Sequence, residues 1–87
     1  MKIENHVNLE FPSRSANEGF ARAAAACFAA QLDPTLEEVN DVKTAVSEAV
    51  TNAIVHAYPD TIGKIAMKLR LREDHSLEIV IRDWGVG

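Results

Sequence analysis

The order of sequence periods predicts an α+β chain, a two-layer α/β sandwich with two helices on one face of a mixed, mostly antiparallel sheet. Three observations carry this prediction. Apolar residues alternate singly at Val7, Leu9 and Phe11, and again from Ile65 to Ile81. They recur at three- and four-residue steps from Leu36 to Ile54. The change of period falls at Gly63. Alternation marks a half-buried strand, and a step near 3.6 marks one buried helix face.

The elements follow in order. The first strand carries Val7, Leu9 and Phe11 between Asn8 and Glu10, and Pro12 stops it. Ser15 with Glu18 three residues later predicts a capping box that opens an Ala-rich helix reaching about Gln31. Phe20, Ala24, Cys27 and Phe28 form its expected buried stripe, with Arg22 pointing elsewhere. Asp33-Pro34-Thr35 restarts a helix: proline suits the first turn, and Thr35 with Glu38 is a second box. Leu36, Val39, Val42, Val46, Ala49, Val50, Ala53 and Ile54 make this helix long and amphipathic. Tyr58-Pro59-Asp60 ends it. Ile65, Met67, Leu69 and Leu71 then alternate with Lys64, Ala66, Lys68, Arg70 and Arg72. After the turn Glu73-Asp74-His75-Ser76, Leu77, Ile79 and Ile81 alternate with Glu78, Val80 and Arg82. The result is a hairpin with one apolar and one basic, wet face.

Composition bounds the rest. The chain has 87 residues, the size of one domain spanning residues 1–87, with 47% hydrophobic and 25% charged residues, as in ordinary globular proteins. Nine basic residues against 13 acidic ones give a net charge of −4, which argues against nucleic acid as a direct partner. Five of the carboxylates fall between Asp33 and Glu48, an acidic stretch that suits either a solvated face or a basic protein partner. Cys27 is the only cysteine, which points to a reducing compartment. No stretch is apolar enough for a bilayer and no secretory leader opens the chain, so a cytoplasmic protein without a membrane role is expected.

The candidate chemistry lies in two segments. Glu48, Asn52 and His56 are spaced at i, i+4 and i+8 of the long helix, a stripe drifting about 40° per step. A carboxylate, an amide and an imidazole in a row can hold a hard ion such as Mg²⁺ or act on a hydroxyl, with Glu48 as base. Each residue taken singly also fits an ordinary surface role, His56 as a cation at a helix C-terminus. Asp83 shares the parity of Leu77, Ile79 and Ile81, so its carboxylate is expected to face the helices and to need donors. A purine amine is such a donor, and Gly85 and Gly87 allow close backbone approach to a flat ligand. A turn aspartate followed by two loop glycines fits the same residues.

Together, Ser47-Glu48-Ala49-Val50-Thr51-Asn52-Ala53-Ile54-Val55-His56-Ala57 and Asp83-Trp84-Gly85-Val86-Gly87 resemble the N box and G1 box of the Bergerat-fold (GHKL) ATPases. That superfamily includes type II topoisomerases, MutL-like proteins, histidine kinases and a branch of serine-protein kinases. Phe11-Pro12-Ser13-Arg14-Ser15, Asn17-Glu18-Gly19-Phe20-Ala21-Arg22 and Gln31-Leu32-Asp33-Pro34-Thr35 narrow it. These stretches are similar to the anti-sigma-F factor family of sporulating bacteria, over essentially the whole chain. Ser47 before the N-box glutamate also points to the serine-kinase branch.

The resemblance implies a protein that binds and inhibits a sporulation sigma factor. It further implies phosphorylation of a serine on an anti-anti-sigma factor, with ATP and Mg²⁺ as cofactors and ADP as product. By motif position, Glu48 would activate the serine hydroxyl, Asn52 would hold Mg²⁺ on the phosphates, and His56 would lie beside the nucleotide. Asp83 would read the adenine amine, and Gly85 and Gly87 would shape the pocket floor. Arg22 lies on the helix such proteins use for sigma contact and dimerisation, so a homodimer is expected. Trp84 departs from the family pattern, which has a small or polar residue there. The ATP lid, second glycine box and closing strands of the family are not in this sequence, and the chain by itself is expected to be incomplete for turnover. Two other readings compete: a partner-binding fragment without catalysis, and the ATP-binding domain of a histidine kinase. Ser47 and the lack of an upstream phosphoacceptor helix weigh against the latter.

Overall fold

The computed structural model describes residues 2–85. Strand β1 (Ile3–Pro12) leads into helix α1 (Ala16–Ala29), which tightens into a 3₁₀ turn (Ala30–Leu32). Helix α2 (Leu36–Asn52) continues into a π-helical turn (Ala53–Ala57), and the hairpin of β2 (Lys64–Arg72) and β3 (Leu77–Asp83) completes the described chain. The sheet order is β1-β2-β3, and both pairs are antiparallel. The expected two-layer sandwich is present. The sheet expected to be mixed is antiparallel throughout among the described residues.

Among the described residues only β2 has a strand on each side, and its inward side chains Ile65, Met67 and Leu69 are at most 1% exposed. They meet Val46 and Val50 of α2, Ala53 of the π turn, Ala21 and Ala25 of α1, and Phe11 of β1. Ile79 and Ile81 of the edge strand β3 are only half-buried against this cluster. The two ends of the first connection are tied by a Ser13–Gly63 pair, in which Ser13 N–H donates to the Gly63 carbonyl at 2.8 Å and Gly63 N–H to Ser13 Oγ at 2.9 Å. The hairpin turn is closed by Asp74, whose Oδ1 accepts from Ser76 Oγ at 2.6 Å and Ser76 N–H at 3.1 Å. The Ser76 hydroxyl is the main reason that this carboxyl is held below its usual range.

Three local expectations are corrected. The predicted α1 stripe is rotated by one position: Ala21, Ala25 and Ala29 are buried, while Phe20 is 53% exposed and Cys27 is exposed. Ala24 and Phe28 stay as half-buried flanks. A face of alanines lets α1 lie close to α2, and a phenylalanine between the axes would hold the helices apart. The Ser15–Glu18 box does not form. Ser15 already has helical angles (φ −56, ψ −36), so its hydroxyl makes no cap bond, and Glu18 pairs with Arg22 instead. Leu36, expected in the α2 stripe, is 77% exposed in the first turn.

Candidate functional site

The second capping box does form, and it sets where the functional face of α2 begins. Thr35 is extended (φ −70, ψ 162); its Oγ1 accepts from Glu38 N–H at 3.1 Å, and its own N–H donates to Glu38 Oε1 at 2.9 Å. From this start the apolar stripe through Val46 and Val50 faces the sheet, which leaves Glu48 and Asn52 on the exposed side. Ser47, Glu48, Thr51 and Asn52 line a shallow groove of about 360 Å³. Across its rim Arg22 leans over from α1, its Nη1 at 3.1 Å from Glu18 Oε1 and 3.4 Å from Ser47 Oγ.

The expected row is brought together at its first two members. His56 is exposed too, but it sits within the π turn, whose i→i+5 bonding underwinds the backbone and breaks the four-residue register after Asn52. It does not line the groove with Glu48 and Asn52.

The second segment meets the same helix at its far end. Gly85 lies so near the last π-turn residue that a Cβ built on it would stand 2.1 Å from the Ala57 carbonyl oxygen. The glycine is therefore required by the approach of its own backbone to the helix end, a contact that no sequence period reveals. Asp83, expected to face inward among the helices, is exposed. It ends an edge strand, opposite Ile65, and its Oδ1 accepts from Gly85 N–H at 3.2 Å, with water free to meet the rest. Gly87 lies outside the described residues.

Trp84 takes the opposite side of the strand. Its ring carries Lys64 Nζ at 4.1 Å and the Arg82 guanidinium at 4.8 Å, and it shares the outer sheet face with Asn8, Ala66 and Val80. It therefore does not stack on the helix side.

Sequence reasoning missed Thr51 as a groove residue and read Tyr58 only as a helix terminator. Tyr58 is 9% exposed and holds both the start of β2 and the end of β3: its hydroxyl donates to the Lys64 carbonyl at 2.7 Å and accepts from Trp84 N–H at 2.8 Å. An aromatic residue just past a helix was the only available signal.

Among the described residues no group of three or more His, Cys, Asp or Glu side chains converges as a metal cage. Glu48 and Asn52 supply one carboxylate and one amide oxygen in an open groove. That donor set fits Mg²⁺, which keeps several waters and is shared with phosphate oxygens; it does not fit a tightly held resident ion. No helix among the described residues is long and apolar enough to cross a membrane.

Comparison with known proteins agrees with this arrangement. The model of the histidine kinase-like ATPase domain family matches residues 11–87. The chain is 52% identical over 87 residues to the anti-sigma F factor of Caldanaerobacter subterraneus subsp. tengcongensis, covering 100% of this chain and 60% of that protein. It is 50% identical over 86 residues to the anti-sigma F factor of Bacillus subtilis, 98% of this chain and 58% of that protein. To the anti-sigma F factor of Clostridium beijerinckii it is 52% identical over 85 residues, 97% and 59% respectively. The chain thus spans about three-fifths of the length of the curated relatives it matches. With its two motifs joined at one helix and the family match running through both, this chain belongs to the histidine kinase-like ATPase domain family, that of the Bergerat-fold (GHKL) ATPases.

Proposed function

We propose that this chain is the nucleotide-binding part of an anti-sigma factor. That protein would bind and inhibit a sporulation sigma factor and, with Mg-ATP, phosphorylate a serine of its anti-anti-sigma factor. The observation that carries the reading is identity of about half the residues, from end to end, with proteins named anti-sigma F factor.

The groove supports the chemistry. Phosphoryl transfer asks the protein mainly to position the reactants and offset charge. Glu48, exposed in the groove, takes the proton of the acceptor serine as that oxygen bonds to the γ-phosphorus and ADP leaves. Asn52 is the residue to hold Mg²⁺, which supplies charge neutralisation on the phosphates when bound. His56 is assigned to the nucleotide side of the helix end. Asp83 is assigned to the adenine amine, a donor where guanine presents an acceptor carbonyl. Gly85 shapes the corner between them, and Gly87 belongs to the same assignment by motif position. Arg22, exposed on α1, is assigned to sigma-factor contact, and the cytoplasmic homodimer is part of the same reading.

The test is calorimetric titration of Mg-ADP and Mg-ATP into the full-length protein, followed by transfer of labelled phosphate to the anti-anti-sigma factor. Asn52→Ala is expected to lose Mg-dependent nucleotide binding. Glu48→Gln is expected to bind nucleotide normally and to lose transfer by about 10²- to 10⁴-fold. Unchanged affinity in Asn52→Ala removes it as the metal ligand, and undiminished transfer in Glu48→Gln removes the base. No saturable binding to the full-length wild type leaves a partner-binding module without catalysis.

A further inference from the structure

We propose that Tyr58 is a positioning residue of the nucleotide site. Its hydroxyl fixes the Asp83–Gly85 corner against the end of α2 and thereby sets the preference for adenine over guanine nucleotides. The inference rests on the assignment of Asp83 to the base amine.

The hydroxyl is the only part of Tyr58 that this role needs, and it is used in both directions. It donates to the carbonyl of Lys64, the first residue of β2, and accepts from the N–H of Trp84, the residue that follows β3. A hydroxyl carries one donor and can accept, so one oxygen bridges the two open ends of the hairpin. The bridge lies next to the residue of interest. Trp84 N–H is one peptide beyond Asp83, and the next N–H, of Gly85, bonds Asp83 Oδ1 at 3.2 Å. Two successive N–H groups are thus committed, one to the helix end and one to the Asp83 carboxylate, which fixes both the course of the corner and the direction of the carboxylate.

The ring is held as firmly as the hydroxyl. A Cβ on Gly63 would stand 2.0 Å from it, so Gly63 lies flat against one part of the ring. On the other side of the corner, Gly85 is pressed on the Ala57 carbonyl, one residue before Tyr58. Two glycines and one phenol therefore lock the strand end to the helix end. A phenylalanine keeps the ring and both close approaches but leaves the Trp84 N–H without its acceptor. Asp83 is exposed, so its carboxylate is held by the Gly85 N–H and not by burial. The Gly85 N–H is in turn aimed by the peptide that Tyr58 anchors at Trp84.

The experiment compares wild type, Tyr58→Phe and Asp83→Asn in the full-length protein. The readouts are affinities for Mg-ADP and Mg-GDP by calorimetry, hydrogen exchange of the Trp84 amide without nucleotide, and the thermal midpoint. Tyr58→Phe is expected to stay folded, to exchange the Trp84 amide about tenfold faster, and to lose about five- to tenfold of the ADP-over-GDP preference, the worth of about one hydrogen bond. Asp83→Asn is expected to lose most of the preference with the Trp84 amide still protected. Equal weakening of ADP and GDP in Tyr58→Phe would mean a merely structural role and overturns the proposal, as does an unchanged Trp84 exchange rate. If Asp83→Asn keeps the full preference, the assignment of Asp83 fails, while the Trp84 exchange still decides whether the bridge exists.

Discussion

Gly85 stands against the end of the helix with no room for a side chain. A Cβ at Gly85 would fall 2.1 Å from a carbonyl oxygen and 2.8 Å from the Ala57 Cβ, and neither atom belongs to a flexible side chain that can turn away. Gly85→Ala must therefore push the end of β3 off the helix. A loss of about 1–3 kcal/mol is expected from such overpacking, read as a lower denaturant midpoint with an unchanged slope. At this scale the sequence was informative where chemistry follows from spacing. Glu48 and Asn52 share a groove because four residues bring a helix back to the same side. It was silent where a role depends on distant backbone. The partners of Tyr58 come from residues 64 and 84, and no local pattern around residue 58 encodes them. Parity placed Asp83 inward, but it is exposed, because alternation fixes the side of a strand and not whether an edge strand's last residue is covered.

At the scale of elements, two identical cap signatures met opposite fates. Ser15 and Thr35 each precede a glutamate by three residues, yet only Thr35 has the extended backbone that aims its oxygen at the third helical N–H. Thr35→Ala is expected to cost about 1 kcal/mol of stability, whereas Ser15→Ala should be close to neutral, a contrast that parallel denaturant melts read directly. The working box is also sensitive to pH. Glu38 is held below the usual glutamate range, first by the Thr35 N–H and then by the Thr35 hydroxyl. Its folded pKa is the lower one, so its contribution is complete above the unfolded value and disappears as pH falls through the folded value. The Glu38 carboxyl resonance should titrate below that of an unpaired glutamate in wild type and shift upward in Thr35→Ala. The α1 stripe was misplaced for a different reason. The large residues in the run were read as core, but the helix pair selected its alanine face, a preference set by the neighbouring helix.

For the whole molecule, element order, strand alternation and the hairpin were all legible, because a period of two or 3.6 is imposed by burial itself. The central position of β2 was not, since three alternating strands look alike until they are ordered. That position concentrates stability in a few side chains. Leu69 is 0% exposed, between strands on both sides and beneath the helices. Leu69→Ala is expected to cost about 2–5 kcal/mol, a large share of the roughly 5–15 kcal/mol of a whole domain, and to shift the chemical melt accordingly. Ile79→Ala, on the edge and half-buried, should cost less in the same measurement.

Trp84 is the single tryptophan of the chain, and its indole lies on the outer sheet face between Lys64 and Arg82, across the sheet from the helices. Its emission is consequently an optical probe of that face. Filling the Glu48–Asn52 groove leaves the lining of that face untouched, whereas a base read by Asp83 would bear on the strand end that carries the indole, so heat or label is needed to tell the two apart. A protein that settles on the sheet would displace two stacked cations from the ring and change both intensity and wavelength, so the same fluorophore reports company on that face directly.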